Sequence, residues 1–215
     1  MKFSFVIPTY GNWELLHQLL FDIYKHCSTV HEILIMDDDT NDEAFLNGLA
    51  WWNSTELLPI THIRNADNLG FLKNSNKGIK MATGDMVCLV STDVRIYQDI
   101  VSHGITHNQV VGGRYLDYDT GWNTFDGQMF PYLEGWLLCT YKDTWNTLKY
   151  FDERFAPNDM EDVDFSAKAL DAGLELITYP EGYVSHIGAQ SIPYGDEREL
   201  GTIKNKEKFR RKWIK

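Results

Sequence analysis

A fourfold alternation constrains this chain more than any other feature of its sequence. A short, mainly apolar run stops at polar turn residues, gives way to an amphipathic or helix-forming stretch, and then begins again. The apolar runs are Phe3–Ile7 (halted by Pro8), Glu32–Met36 (ending in Asp37-Asp38-Asp39), Ile60–Ile63, and Met86–Val90, which runs into Ser91-Thr92-Asp93. Runs this short, bounded by turn residues, read as buried strands. Between them, Asn12–Cys27 spaces Leu15, Leu16, Leu19, Leu20 and Ile23 by threes and fours, the stripe of a helix packed on a sheet. Asp42–Trp52 and Phe71–Ala82 read as further helices, the second closed by Thr83-Gly84 with the glycine suited to a left-handed cap. Strands that alternate with helices in this way predict an α/β fold around a doubly wound sheet.

The second half is different in character. Glycines and aromatics dominate residues 112–136, with weak strand signals at Val110–Tyr115 and Leu133–Thr140. Glu161–Ala172 reads as a helix ended by Gly173, and Leu174–Thr178 as a strand. With no internal repeat, low-complexity segment or Pro/Gly-rich linker, one domain over residues 1–200 is expected. Residues 201–215 form a basic tail, expected to be helical.

Charge narrows the function. The net charge of -11 disfavours nucleic acid as a partner. From Lys204 to Lys215, seven cations face only Glu207, so a tail of +6 hangs on a body of -17. That tail could lie on anionic lipid through Ile203, Phe209, Trp213 and Ile214, or pack against the body through its aromatics. No run approaches the ~20 apolar residues of a membrane span, and the N-terminal run is too short for a signal h-region. Cys27, Cys88 and Cys139 are odd in number and far apart. Reduced thiols in a cytoplasmic protein, peripheral at most to the inner membrane face, are therefore expected.

In open α/β sheets, ligands bind beyond the carboxyl ends of the strands. Here those ends carry Pro8-Thr9-Tyr10, Asp37-Asp38-Asp39 and Ser91-Thr92-Asp93. Neither G-x-G-x-x-G nor G-x-x-x-x-G-K-[ST] is present, which excludes the Rossmann dinucleotide grip and the P-loop.

The ordered series V-I-P-T-Y (6–10), I-L-I-M-D-D-D-T-N-D (33–42), N-L-G-F-L-K-N-S-N-K-G-I-K-M-A-T-G-D (68–85), L-V-S-T-D-V (89–94), F-D-E-R-F (151–155), M-E-D-V-D-F (160–165) and V-S-H-I-G-A-Q-S (184–191) resembles the inverting glycosyltransferases of family 2. The resemblance implies a GT-A fold, a Rossmann-like three-layer sandwich around a mixed, mostly parallel sheet. It also implies transfer of a sugar, with inversion, from a nucleotide-diphosphate donor to a glycan or lipid-linked hydroxyl acceptor, as in polysaccharide biosynthesis.

Carried over residue by residue, the resemblance makes Asp38 the carboxylate that accepts the imide N–H of a uracil or thymine, favouring a UDP- or dTDP-sugar. Pro8, Thr9 and Tyr10 lie beside the base. Asn68, Gly70, Lys73 and Asn76 flank the ribose and diphosphate, where a glycine lets backbone approach a phosphate. Ser91 and Asp93 occupy the D-x-D metal position, with Ser91 replacing its first acid. Asp93 and His186, with Ser191 downstream, would hold Mn²⁺ or Mg²⁺, and imidazole suits Mn²⁺ better. Asp162 is the implied base that takes the acceptor's proton, a role contributing typically ~10²–10⁴-fold. Asp164 is read as a supporting residue. Gly135, Trp136 and Glu161, with Trp122 and Tyr132 nearby, fall in the acceptor-facing segment.

Composition alone makes Glu161–Asp164 simply the acidic first turn of a helix capped by Asn158 or Asp159. Two other classes also fit parts of the sequence. One is a non-catalytic domain of the same fold that binds a nucleotide or glycan. The other is a sugar-phosphate nucleotidylyltransferase, which the missing basic Gly-rich loop after the first strand counts against.

Overall fold

The computed structural model describes residues 1–157, 159–188 and 196–214. The strands are β1 Phe3–Thr9, β2 Val30–Asp37, β3 Ile60–Arg64, β4 Met86–Val90, β5 Val94–Ile96, β6 Gln109–Gly112, β7 Tyr115–Leu116, β8 Thr124–Phe125, β9 Gln128–Met129, β10 Tyr132–Leu133, β11 Leu137–Tyr141, β12 Glu175–Thr178 and β13 Val184–His186. The helices are α1 Trp13–His26, α2 Glu43–Thr55, α3 Phe71–Met81, α4 Lys142–Leu148, α5 Glu161–Asp171 and α6 Asp196–Trp213.

Seven strands form the central sheet in the order β12-β6-β11-β4-β1-β2-β3. β1 to β4 are mutually parallel, whereas β11 runs antiparallel to both β4 and β6. Alternate side chains of β1 feed two cores. Phe3, Phe5 and Ile7 pack with α1 and α2 on one face, and Val6 packs with α3, α4 and α5 on the other. The result is the expected three-layer sandwich with a mixed, mostly parallel sheet. Gly78 explains how α3 lies so close to the sheet. A Cβ there would sit 2.5 Å from Val6 Cγ1 and 2.7 Å from Met36 Cγ.

Local chemistry sets the element ends. Asn12 caps α1, its side chain accepting the Leu15 N–H, and Asp42 caps α2 through the amides of Ala44 and Phe45. Pro8 does not stop β1, which continues to Thr9. Its missing donor is harmless because pairing with β4 already ends at Val6. Gly84 is not a left-handed cap either. α3 ends at Ala82, and glycine is needed at 84 because a Cβ would lie 2.4 Å from Ser4 Oγ. Nor does Asp159 cap α5. Met160 holds that position without a side-chain bond, and the Asp159 carboxylate bonds Arg198 and Thr202 instead. Asn158 lies outside the described residues.

The basic tail belongs to α6, and that helix packs on the body. Phe209 is fully buried against Phe125 and Phe130, with Trp213 beside it. Lys206 donates to the Gly121 carbonyl, Arg210 pairs with Asp126, and Lys212 pairs with Asp152 and Asp164. Of the apolar residues expected to face lipid, Phe209 and Trp213 are turned inward, while Ile203 stays exposed. Among the described residues no helix is long and apolar enough to cross a membrane. Cys27, Cys88 and Cys139 are free thiols, Cys88 lying directly opposite Cys139 across β4 and β11.

Candidate functional site

The site lies where the chain order reverses. From β1 the sheet grows to β2 on one side and to β4 on the other, which opens a crevice at the strands' carboxyl ends. The loops there are cross-tied. Asp38 N–H donates to the Thr9 carbonyl (2.9 Å), and Gly11 N–H donates to Thr40 Oγ1 (2.7 Å).

Two of the three consecutive acids after β2 are spent on this scaffold. Asp37 is fully buried. Its Oδ1 accepts the Thr40 N–H at 2.8 Å, and Oδ2 lies 2.9 Å from His62 Nε2. Asp38 Oδ1 accepts from Asn65 Nδ2 and the Leu69 amide, and Oδ2 from the Gly70 amide, all at 2.8 Å. The carboxylate assigned to the base thus fixes the loop that enters α3. The Gly70 N–H, on a residue at φ +77, also donates to Asn68 Oδ1 at 3.0 Å, so it is already engaged. Lys73 is exposed, and Tyr10 has 68% of its surface open beside the crevice. Pro8 is buried within β1 and presents no polar group.

Asn76 is placed differently from its expected donor role. It is buried, its Nδ2 donating to the Phe151 carbonyl and Glu153 Oε1 while its Oδ1 accepts the Phe151 N–H. Its polar atoms tie α3 to the chain after α4, because an unpartnered buried amide would be costly.

At the end of β4, Ser91 N–H donates to the Trp136 carbonyl (2.8 Å) and the turn delivers Asp93. Asp93 is buried. Its Oδ2 lies 3.2 Å from His186 Nε2, and its Oδ1 has no partner. Pairing of β13 with β5 sets His186 opposite Val94, so two segments far apart in sequence meet here. Trp136 stacks on the His186 ring, with centroids 4.9 Å apart and planes 13° apart. It is buried, and Gly113 leaves room for it, since a Cβ there would be 1.7 Å from the indole. Trp136 therefore supports His186 and is not an open platform for a sugar.

The neighbouring Gly135 N–H donates to Asp162 Oδ2 at 3.1 Å, and the Val163 N–H donates to Oδ1 at 2.8 Å. Burial pushes the Asp162 carboxyl up to about 6 against these two amides, with Glu134 adding to the rise. Glu161 is raised well above its ordinary range by burial and then by Asp162, and its Oε2 has no partner. Tyr132 is pushed up to about 12, mainly by burial and next by Asp162.

One stretch, Tyr132–Trp136, thus joins the Asp162 carboxylate to the Asp93–His186 pair. Sequence reasoning missed Glu134, which accepts the Trp136 indole N–H (2.8 Å) and lies 3.6 Å from Arg114. Its position just before the Gly135-Trp136 pair was the available signal. Ser191 lies outside the described residues.

Comparison with known proteins adds to this picture. The model of the family described as glycosyl transferase family 2 matches residues 4–159. The dolichol-phosphate mannosyltransferase of Pyrococcus furiosus is 27% identical over 125 residues, which is 54% of this chain and 34% of that protein. Among solved structures, a mannosyltransferase from Pyrobaculum calidifontis in complex with GDP-Man and Mn²⁺ superposes with a TM-score of 0.68 at 17% identity, covering 88% of this chain and 58% of its own. TarS of S. aureus in complex with UDP gives 0.64 at 18% identity, covering 86% and 59%. The chain spans about a third of the curated relative's length and less than two thirds of these structures.

Proposed function

Because the chain belongs to glycosyl transferase family 2 and has the GT-A fold, we propose that it transfers a sugar from a nucleoside-diphosphate donor to a hydroxyl acceptor in a single inverting displacement. One observation carries this reading. Asp162, a carboxylate raised to about 6, and Asp93, a buried acid with an unpartnered oxygen beside His186, are joined through Tyr132–Trp136.

Asp93 and His186 would hold the divalent ion. An unpartnered carboxylate oxygen beside an imidazole is a donor set suited to Mn²⁺, and also to Mg²⁺. Among the described residues no third His, Cys, Asp or Glu joins them, so donor phosphate oxygens and water would complete the shell. When bound, the ion neutralises charge that develops on the departing diphosphate.

This chain's own residues do the rest. The acceptor oxygen attacks the anomeric carbon as the bond to the diphosphate breaks, and its proton passes to Asp162. The Gly135 and Val163 amides orient that carboxylate. Tyr10 is open to lie against the base. Asp38 already accepts three N–H groups, which removes the main support for preferring uridine or thymidine. Glu161 faces the acceptor side of the reading, with glycans or lipid-linked glycans as the class of acceptor.

The test is a panel of UDP-, GDP- and dTDP-sugars with Mn²⁺ and varied acceptors, scored by release of free nucleoside diphosphate. Turnover that is lost in Asp162→Asn, with nucleotide binding by calorimetry kept, supports the reading. No release from any donor would favour the binding-domain alternative, which Ser91 in place of the first acid of D-x-D motivates. Nucleotide binding indifferent to Mn²⁺ would sink the roles of Asp93 and His186.

A further inference from the structure

α5, which carries Asp162, is held from outside by α6. Asp164 is fully buried two residues after Asp162. Its Oδ1 accepts the Trp213 indole N–H at 2.8 Å and lies 2.7 Å from Lys212 Nζ. Its Oδ2 accepts from Lys212 Nζ at 2.9 Å and lies 3.7 Å from Lys168. Lys212 also reaches Asp152 at 3.0 Å. Earlier along α6, Asn205 Nδ2 donates to the carbonyls of Phe155 (2.6 Å) and Asp159 (3.2 Å), Arg198 pairs with Asp159 (3.1 Å), and Lys208 donates to the Arg154 carbonyl (2.6 Å). One helix thus grips both the approach to α5 and its first turn.

Among the described residues, no side chain at the N-cap position holds the start of α5. Asp159 and Met160 enter α5 at φ +70 and +78, and Met160 makes no side-chain cap bond. The first turn is tied on its crevice side by the Gly135 N–H on Asp162 and on its outer side by what Asp164 binds. Residues two apart on a helix point about 200° apart, so fixing Asp164 toward α6 fixes Asp162 toward the crevice.

We propose that Lys212 and Trp213 are positioning residues for the transfer reaction. By holding Asp164 they set the rotation of the first turn of α5, and with it the direction from which Asp162 takes the acceptor's proton. This rests on the reading of Asp162 as the base. The basic, aromatic end of the chain then has a task in the chemistry. Its lysine is the nearest cation to a fully buried carboxylate, closer than Lys168, and its indole N–H fixes that carboxylate's plane.

The experiment uses the full chain, the panel donor that is turned over, and Mn²⁺. Trp213→Phe keeps an aromatic ring and removes the N–H together with the five-membered ring that carries it, and Lys212→Met removes the charge at similar length. Lys212→Arg is the conservative rescue, and Arg210→Ala, which breaks the exposed pairs with Asp126 and Glu207, controls for general loosening of α6. The expected result is a kcat lowered about tenfold in Trp213→Phe and further in Lys212→Met, the size expected for a misdirected reacting group. Binding of UDP or GDP should be unchanged in both, Lys212→Arg should recover most of the rate, and Arg210→Ala should match the parent. If Lys212→Met fails to fold, Trp213→Phe decides. An inactive Asp162→Asn beside a fully active Trp213→Phe overturns the positioning role alone. Loss of kcat and nucleotide binding together, shared by Arg210→Ala, also overturns it. An active Asp162→Asn removes the base assignment and the positioning role with it.

Discussion

Lowering the pH through 6 should switch the transfer reaction off, and the size of the effect follows from the surroundings of Asp162. Burial lifts its carboxyl from an ordinary 3.8 to about 6, which corresponds to about 3 kcal/mol in favour of the neutral acid. Glu134 from the facing stretch adds to the rise, and the Gly135 and Val163 amides oppose it. A base works only when ionised, so about nine tenths of the molecules are competent at pH 7 and about one tenth at pH 5. kcat/KM should therefore fall about tenfold per unit below pH 6. Initial rates of nucleoside diphosphate release from pH 4.5 to 8, at constant ionic strength and with nucleotide binding followed in parallel, test this. The same shift acts on stability with the opposite sign. A carboxyl raised in the folded state stabilises the fold below its ordinary value, and that contribution is lost as pH rises through about 6. Asp162→Asn should therefore be inactive yet melt higher than the parent at pH 7, with the gap closing near pH 4. A rate that is flat between pH 5 and 7, or an acid limb centred near 4, would refute the reasoning.

Three further outcomes are expected. Gly113→Ala puts a Cβ within 1.7 Å of the Trp136 ring; the displaced indole should weaken Mn²⁺-dependent nucleotide binding about tenfold through His186, and unchanged calorimetric affinity would remove Trp136 from the metal site. Asn76→Ala should cost about 2–4 kcal/mol in urea unfolding by leaving the Phe151 amide and carbonyl unpaired, with nucleotide affinity intact; a weakened affinity would restore its donor role. Phe209→Ala should cost about 3–5 kcal/mol; a loss below ~1 kcal/mol would show that α6 is not packed as described.

How much of this was legible can be read from particular residues. The four apolar runs and their intervening stripes identify β1 to β4 and α1 to α3 to within a few residues, because a strand buried on both faces leaves few other sequences possible. Asp93 and Asp162 were reachable through their motifs. The bonds by which Asp38 and Asn76 tie the scaffold were not legible, because an Asp or Asn in a motif looks the same whether its partner is a ligand or a backbone group. Glu134 carried no motif at all.

The sequence by itself determined the layered α/β architecture, the polar ends of its strands, and the chemistry available there. Periodicity and turn chemistry are local, and local rules suffice for them. Only the tertiary structure decided that His186 meets Asp93, that Trp136 lies beneath His186, and that Asp164 turns its back on the crevice to receive Lys212 and Trp213. Those pairings join residues that lie 48 to 93 positions apart, and no local rule reaches across such separations. The charge of the tail is the plainest case. The seven cations between Lys204 and Lys215 looked like a surface for lipid, and one of them, Lys212, became the counterweight to the carboxylates of Asp152 and Asp164.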